Sequence, residues 1–221
     1  YGNFPLQETL ARLDEEFKGF GKRVLSKDIL KPLEFKRDIE IKSKGQVDPM
    51  LPPDKQLKTS MTWLCGEPEN TYETFLLKVL GNLLMDGHSS PFYQKLIESG
   101  IGYEFSVNSG VESTTATNFF TIGVQGCSDT AQFESTVREI FHECLEKPFE
   151  GKKIEAIVQQ LELSKKDQKS DFGLHLLYSL LPGWVNKTDP FDGMLFDEIL
   201  EQFREDFETK GDAIFHNIIN K

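Results

Sequence analysis

To bind zinc, this chain would need histidine and carboxylate side chains about one helical turn apart. The histidines are His88, His142, His175 and His216, and no two of them form a His-x-x-Glu-His or His-x-x-x-His pair. His142 precedes Glu143, but no second histidine follows one turn away, so a zinc site there lacks ligands. We therefore interpret His142 as a surface helix residue, His88 as a loop residue and His175 as a residue at the edge of the core.

The residues also show no motif for nucleophilic catalysis or for phosphate binding. No Gly-x-Ser-x-Gly pattern is present, so the sequence contains no nucleophile elbow. The glycine pair within residues 19–22 has no strand before it, which argues against a phosphate-binding loop. The carboxylates Glu201, Glu205 and Glu208 fall on the polar face of a predicted helix. We predict no catalytic, cofactor-binding or metal-binding residue in this chain.

Neither the cysteines nor the one glycosylation sequon indicates a catalytic or metal-binding site. Cys65, Cys127 and Cys144 are odd in number and have no metal-type spacing, which argues against a disulfide framework. Cys65 and Cys127 lie in apolar strand patterns typical of buried free thiols. Residues 186–188 form a glycosylation sequon, which has meaning only if the parent protein is secreted.

Charge is distributed unevenly along the 221 residues, whose net charge is -11. Residues 1–60 carry 12 basic and 10 acidic groups, whereas residues 61–221 carry 13 basic and 26 acidic groups. Phosphate would be repelled by such a surface, so no nucleic-acid partner is expected. A basic peptide or protein partner and a merely solvated acidic surface both stay open. No apolar run reaches the length of a membrane span, so no membrane partner is expected.

The positions of the elements follow from hydrophobic periodicity. A charged helix is predicted over residues 6–25, and alternation predicts strands over 34–42 and 57–65. A helix over 70–85 follows, with Gly87 at its end and Ser90 and Pro91 beginning a second, short helix. Alternation predicts two further strands, one at Tyr103, Phe105 and Val107 and one at Phe120, Ile122 and Val124, on either side of a polar turn region over 108–116.

The second half of the sequence is predicted to be helical from residue 129 almost to the end. One of these helices covers 171–181 and stops at Pro182-Gly183, and the last begins at residue 212. Strands early and helices late suit an α+β fold, in which a mostly antiparallel sheet is covered on one face by helices. The length allows one core with a fragment of a second, and the start at Tyr1 suggests a piece of a longer protein.

Several motifs then resemble one family, the pitrilysin/insulinase-type zinc metalloproteases, and within it the presequence protease and falcilysin branch. The similarity spans nearly the whole chain. The motifs are Leu83-Leu84-x-x-Gly87-x-x-Ser90-Pro91-Phe92-Tyr93-x-x-Leu96-Ile97-Glu98-Ser99-Gly100-Ile101-Gly102, Tyr1-Gly2-Asn3-Phe4-Pro5-Leu6, Gly123-Val124-Gln125-Gly126, Ile154-Glu155-Ala156 and Ser170-Asp171-Phe172-Gly173-Leu174.

The resemblance implies four homologous α+β domains in two halves that close around a peptide. It places residues 1–33 at the C-terminal end of the preceding domain and its linker, and residues 34–221 in a second, non-catalytic α+β domain. In the first domain of such proteins, the helix pair matching residues 72–99 carries an inverted zinc motif. Here Leu83, Leu84 and Met85 stand where ligands would be expected. Zinc and water activation would then belong to the first domain of the parent, and none to this fragment.

Two functions remain open on this resemblance. The first is a structural, chamber-forming fragment of a zinc metalloendopeptidase that degrades short peptides such as targeting presequences. Its partners would be peptide substrates in the parent chamber and the catalytic domain of the same chain, in a mitochondrion or a plastid-type organelle. The alternative is a non-catalytic scaffold or binding subunit on the same fold. Either reading leaves the isolated fragment inactive, although the parent of the first would be an enzyme.

Overall fold

The computed structural model describes residues 3–21, 37–167, 170–186, 189–191 and 194–221. These residues form a four-stranded antiparallel sheet and seven α-helices, together with a short π-helix (Tyr93–Glu98). The strands are β1 (Lys58–Leu64), β2 (Glu104–Phe105), β3 (Gly110–Glu112) and β4 (Phe119–Gln125). The helices are α1 (Leu6–Phe17), α2 (Thr71–Met85), α3 (Thr130–Glu146), α4 (Gly151–Lys166), α5 (Phe172–Val185), α6 (Phe196–Lys210) and α7 (Ala213–Ile219).

β4 is the central strand, and β1 pairs with it along its whole length. Trp63 lies opposite Phe120 and Met61 opposite Ile122, so the inward-facing residues of the two strands share one side of the sheet. The residues of β1 alternate between half-buried and exposed, as expected for a sheet covered on one face. Within the described residues, the other edge of β1 has no partner strand. The predicted α+β architecture is confirmed, as are the strands over 57–65 and 120–124.

The second edge of β4 carries one interrupted strand, made of β2 and β3. The predicted strand through Val107 is therefore wrong beyond residue 105, since Val107 turns outward and is 81% exposed. Asn108 has a left-handed backbone (φ 73°), and the Ser106 N–H donates to the carbonyl of Gly123 at 2.9 Å. Pairing resumes at β3, which the sequence presents as part of a polar turn. A local bulge of this kind bends a strand without ending its pairing.

The predicted helix over 70–85 lies across the sheet as α2. Its start is fixed by Asn70, whose side chain accepts a hydrogen bond from the Glu73 N–H at 3.0 Å. The apolar stripe of the helix is buried, and Leu83 and Leu84 are each 1% exposed. The helix approaches the sheet closely at Gly81, where an added Cβ would lie 2.7 Å from Val111 Cγ2. Burial of this face against the sheet is what the helical spacing of the apolar residues predicted.

Four later helices complete the core around α2. Phe133 of α3, Ile154 of α4, Phe203 of α6 and Phe215 of α7 are all buried in the same apolar cluster. α3 begins at Asp129, whose carboxylate accepts hydrogen bonds from two backbone N–H groups at 2.9 and 3.0 Å. The predictions of helices from residue 129 onward and of a final helix from residue 212 are confirmed.

Two predictions for the first part of the chain are wrong where they can be compared. The helix predicted over 6–25 ends at Phe17, where the Phe20 N–H closes a turn onto the Phe17 carbonyl at 2.9 Å. Residues 22–25 lie outside the described residues. Of the strand predicted over 34–42, residues 37–42 have no regular structure, and Ile41 is 84% exposed. Alternation alone cannot form a strand, because its backbone groups need a neighbouring strand to pair with.

The helix predicted to stop at Pro182-Gly183 instead continues to Val185. Pro182 lies inside α5, and the Asn186 N–H donates to its carbonyl at 2.9 Å. A proline removes one backbone N–H from the ladder and disfavours the preceding turn, but the chain can remain helical around it. No residue of α5 is buried in the described structure.

Candidate functional site: the helix pair over the sheet

The hinge between α2 and the short helix is built from backbone features that the sequence predicted. The Asp86 N–H closes the last turn of α2 onto the Asn82 carbonyl at 2.8 Å, and Gly87 takes a left-handed backbone (φ 76°). The chain becomes helical again at residue 91, and the Ser90 carbonyl accepts from the Gln94 N–H at 3.0 Å. The expected side-chain cap is not formed, since the buried Ser90 Oγ has no hydrogen-bond partner.

The positions where the resemblance would place zinc ligands are used for packing. Leu83 and Leu84 join the apolar cluster together with Phe92 and Leu96, which are fully buried. The carbonyl of Leu83 accepts a hydrogen bond from Lys153 Nζ at 3.4 Å. Aliphatic side chains offer no lone pair to a metal, so Leu83 and Leu84 connect the sheet to the helical layer and cannot serve as zinc ligands.

Three of the four histidines lie at separate places on the surface, whereas His216 on α7 is half-buried. His88 is exposed and contacts the ring of Tyr93, with 4.5 Å between ring centroids. His142 lies 3.4 Å from Glu146, so the interpretations of His88 and His142 as loop and surface residues are confirmed. His175 is exposed and lies 3.0 Å from Asp171, so its predicted place at the core edge is wrong. Among the residues that the structure describes, no three His, Cys, Asp or Glu side chains could hold a metal ion together.

The cysteines are free thiols, as predicted. Cys127 and Cys144 are buried and Cys65 is half-buried. Burial raises the pKa of Cys144 to about 11, and it also raises the pKa of Cys65 and Cys127. A thiol that stays protonated at neutral pH is a poor nucleophile, so these side chains are packing residues.

An ion-pair cluster beside the hinge was not anticipated from the sequence. Lys95 Nζ, on the short helix, lies 2.5 Å from Glu143 and 2.9 Å from Glu139 on α3. The hydrogen bond with Glu143 raises the pKa of Lys95, and Lys95 in turn lowers the pKa of Glu143. Glu139 and Glu143 are four residues apart, so they lie on one face of α3. Only the tertiary fold brings Lys95 to them, and it ties the hinge to α3.

A polar cleft of about 240 Å³ lies between α2, α4 and α5. Lys78 and Lys165 line it, along with Tyr178 and Ser179 of α5. Lys78 keeps an exposed end, but crowding by the cleft walls and the charge of Lys165 lower its pKa, while Glu112 raises it. Glu69 and Asp189 also line the cleft, but among the described residues they belong to no group of three His, Cys, Asp or Glu side chains that could hold a metal ion. This cleft could not be predicted from the sequence, because its walls come from segments that are far apart along the chain.

The remaining candidates behave as surface groups. Glu201, Glu205 and Glu208 are exposed on α6, as predicted. Residues 19–21 form an exposed turn after α1, and Lys22 lies outside the described residues. Asn186 of the sequon donates through Nδ2 to the Thr114 carbonyl at 3.1 Å, which occupies the amide nitrogen that a glycan would need.

Comparison with known proteins identifies the family of this domain. The family described as the peptidase M16 inactive domain matches residues 1–161. The chain belongs to the inactive-domain family of M16 peptidases. This assignment confirms the resemblance to pitrilysin/insulinase-type proteins.

Curated relatives point to one branch of the M16 peptidases. The chain is 63% identical over 221 residues to the mitochondrial presequence protease of Kluyveromyces lactis and 62% identical over 223 residues to that of Saccharomyces cerevisiae. The Schizosaccharomyces pombe protein of the same name is 40% identical over 223 residues. All three alignments include the whole chain but only 22% of each relative. The chain thus spans about a fifth of the length of these relatives.

A solved structure of a proposed zinc protease from Bordetella pertussis shares the fold of this M16 domain. The TM-score is 0.54 at 15% identity, and the alignment covers 79% of this chain and 89% of the other. At this identity the likeness concerns the fold alone. In the part of the chain that the structure describes, no helix is both long enough and apolar enough to cross a membrane.

Proposed function

We propose that residues 34–221 are the second, non-catalytic domain of a zinc-dependent metalloendopeptidase that degrades short peptides such as targeting presequences. The supporting observation is the hinge itself, where Leu83 and Leu84 pack into the core at positions that would otherwise bind zinc. The identity of 63% to a protein named as a presequence protease supports the substrate class. The same names support a mitochondrial location for the longer protein.

Residues 1–33 are, in this proposal, the C-terminal end of the preceding domain and its linker. The described part of this segment supports that boundary, because α1 has an apolar stripe but no buried residue. Leu6, Leu10, Leu13 and Phe17 recur at helical spacing and are all exposed. A stripe of this kind needs an apolar surface to cover it, and the preceding domain would provide that surface.

The role of the domain in the longer protein is architectural. Its sheet and helical layer support the catalytic domain, and its inner surface forms part of a closed chamber that admits short peptides and excludes folded proteins. Zinc binds in the catalytic domain, outside this chain. The excess of 13 acidic over basic groups in residues 61–221 attracts basic peptides into the chamber.

Metal content and cleavage test this division of labour. The isolated chain and the longer polypeptide are dialysed, analysed for zinc and assayed with a quenched fluorescent peptide. We expect zinc and turnover only in the longer polypeptide. One tightly bound zinc ion or genuine turnover in the isolated chain would overturn the proposal. A longer polypeptide without zinc would instead favour a non-catalytic scaffold on the same fold.

The electrostatic part of the proposal has its own test. Exposed carboxylates such as Glu201, Glu205 and Glu208 are replaced by glutamine in the longer polypeptide, and kcat/KM is measured for basic and acidic peptides of equal length. We expect the loss to fall on the basic peptide and to shrink at high salt, because screening weakens long-range attraction. Equal and unchanged values for both peptides would remove the electrostatic role.

A further inference from the structure

One apolar surface that the described residues leave uncovered lies on α5. Its exposed apolar side chains recur every three or four residues, so they share one face of the helix. Their exposure runs from 36% at Leu181 to 70% at Trp184. We call this face the outward stripe, and its members are Leu174, Leu177, Tyr178, Leu181, Trp184 and Val185.

The opposite side of α5 faces its own domain across two openings and is only partly buried. Ser179, Pro182 and Gly183 line the polar cleft that separates α5 from Lys78 and Lys165. A second, wider groove of about 940 Å³ separates Phe172 and Leu176 of α5 from the end of α4 and the start of α6. On this side Phe172, Leu176 and Leu180 are half-buried, whereas the residues of the outward stripe are exposed. The domain therefore covers one side of α5 in part and leaves the other apolar side to solvent, as is expected of a helix whose second side packs on another surface.

Further apolar side chains are exposed in the described residues between α5 and α6. Phe191, Met194 and Leu195, in the segment leading to α6, are also exposed. Single exposed apolar residues are normal in a soluble protein, but a contiguous apolar face marks a surface that contacts another one. The stripe contains Trp and Tyr, the side chains that are enriched where such contacts are strongest.

We propose that the outward stripe docks against an apolar surface of another domain of the same polypeptide. This inference rests on the proposed function, and it names the surface through which the domain joins the rest of the protein. Each of the closely similar relatives extends well beyond the matched segment, which makes up 22% of its length, so such a polypeptide has ample surface to cover the stripe. α1, with its own uncovered apolar stripe, shows a second surface of the same chain that lacks a partner.

Two other occupants fit the surface less well. A second copy of this chain would bring together two molecules of net charge -11, which repel each other. A basic amphipathic peptide would need a net acidic rim, but in the groove beside α5 Lys165 and Lys166 balance Asp167 and Asp197. Lys166 already occupies the nearby carboxylates, at 2.8 Å from Glu162 and 3.2 Å from Asp197.

Thiol labelling measures whether the stripe is covered. Leu177→Cys and, separately, Leu181→Cys are introduced into the isolated chain and into the longer polypeptide. The labelling rate of the new thiol is followed by peptide mapping. Val107→Cys, on the exposed turn after β2, reports reagent access away from the stripe in both proteins. Thermal unfolding of each variant checks that it is folded.

We expect both stripe thiols to react readily in the isolated chain and about tenfold or more slowly in the longer polypeptide, since a covered thiol reacts only through local opening. Equal rates in the two proteins would overturn the proposal. Protection that depends on the concentration of the isolated chain would replace it with self-association, and protection that appears only on adding a basic peptide would replace it with peptide binding. Labelling requires neither zinc nor turnover, so this result is independent of whether the longer polypeptide cleaves peptides.

Discussion

α2 and α5 carry the same kind of apolar stripe, and the structure treats the two helices in opposite ways. The stripe of α2 lies on the sheet and is buried by α4, α6 and α7 around it. The stripe of α5 faces solvent, and no residue of that helix is buried. Helical periodicity thus shows that a face must be covered. Which surface covers it depends on the rest of the fold and, for α5, on another part of the polypeptide as we propose.

The largest expected difference between the two helices is in stability. Leu83→Ala in α2 removes a buried side chain from a closely packed region, so the free energy of unfolding should fall by about 2–5 kcal/mol. Leu177→Ala in α5 removes an exposed side chain and should change it by no more than about 0.5 kcal/mol. Urea unfolding of the isolated chain measures both. Equal losses would mean that α5 belongs to the cooperative core, contrary to the arrangement described here.

A smaller loss of stability is expected where α2 lies closest to the sheet. A side chain at Gly81 would collide with Val111, whose Cγ2 lies 2.7 Å from the position of an added Cβ. Gly81→Val should therefore cost about 1–3 kcal/mol through overpacking and distortion. Gly151 at the start of α4 has no heavy atom within 4 Å of an added Cβ, so Gly151→Val is the matched control. Urea midpoints that fall together in both variants would indicate a general effect of valine.

The smallest expected loss of stability comes from a hydrogen bond in the first turn of α2, and this loss depends on pH. The Tyr72 hydroxyl donates to Asp206 Oδ2 on α6 at 2.8 Å. Lys210 and Tyr72 both lower the pKa of Asp206, so the stability from this carboxylate is present above its unfolded pKa. That stability is lost as pH falls through the lower, folded pKa. We expect Tyr72→Phe to lower Tm at pH 7 and to lower it less once Asp206 is protonated.

Tyr178 on α5 provides the control for that measurement. It is an exposed member of the outward stripe, so Tyr178→Phe should leave Tm unchanged at both pH values. A pH-dependent loss in the α5 variant, or none in the α2 variant, would show that the contact between Tyr72 and Asp206 does not stabilise the fold.

Much of the fold could be predicted because local pattern and tertiary contact agree there. The alternation of β1 and β4, the stripe of α2 and the left-handed Gly87 each follow from the residues in one segment. The interrupted strand could not be predicted, since Asn108 and its neighbours have the composition of a turn and only pairing with β4 shows otherwise. Residues 37–42 failed for the converse reason, because their alternation has no neighbouring strand in the described structure.

Some features of the candidate site could likewise be predicted from one segment of the sequence, and others could not. The lack of histidine or glutamate at positions 83–85 is visible in the sequence, and it predicted that Leu83 and Leu84 are packing residues. The contacts of Lys95 with α3 and the polar cleft around Lys78 arise between segments distant in sequence. The length of α5 was missed because the effect of Pro182 depends on whether its surroundings favour a helix, and a local rule cannot specify those surroundings.

The bulge between β2 and β3 also makes one edge of the sheet less suited than the other to pair with a further strand. Its irregular backbone and the outward Val107 break the row of donors and acceptors that another strand would need as a template. β1 has seven regular residues and no partner on its far side among the described residues. Among the described residues, β1 therefore offers the more regular edge for a strand contributed from elsewhere.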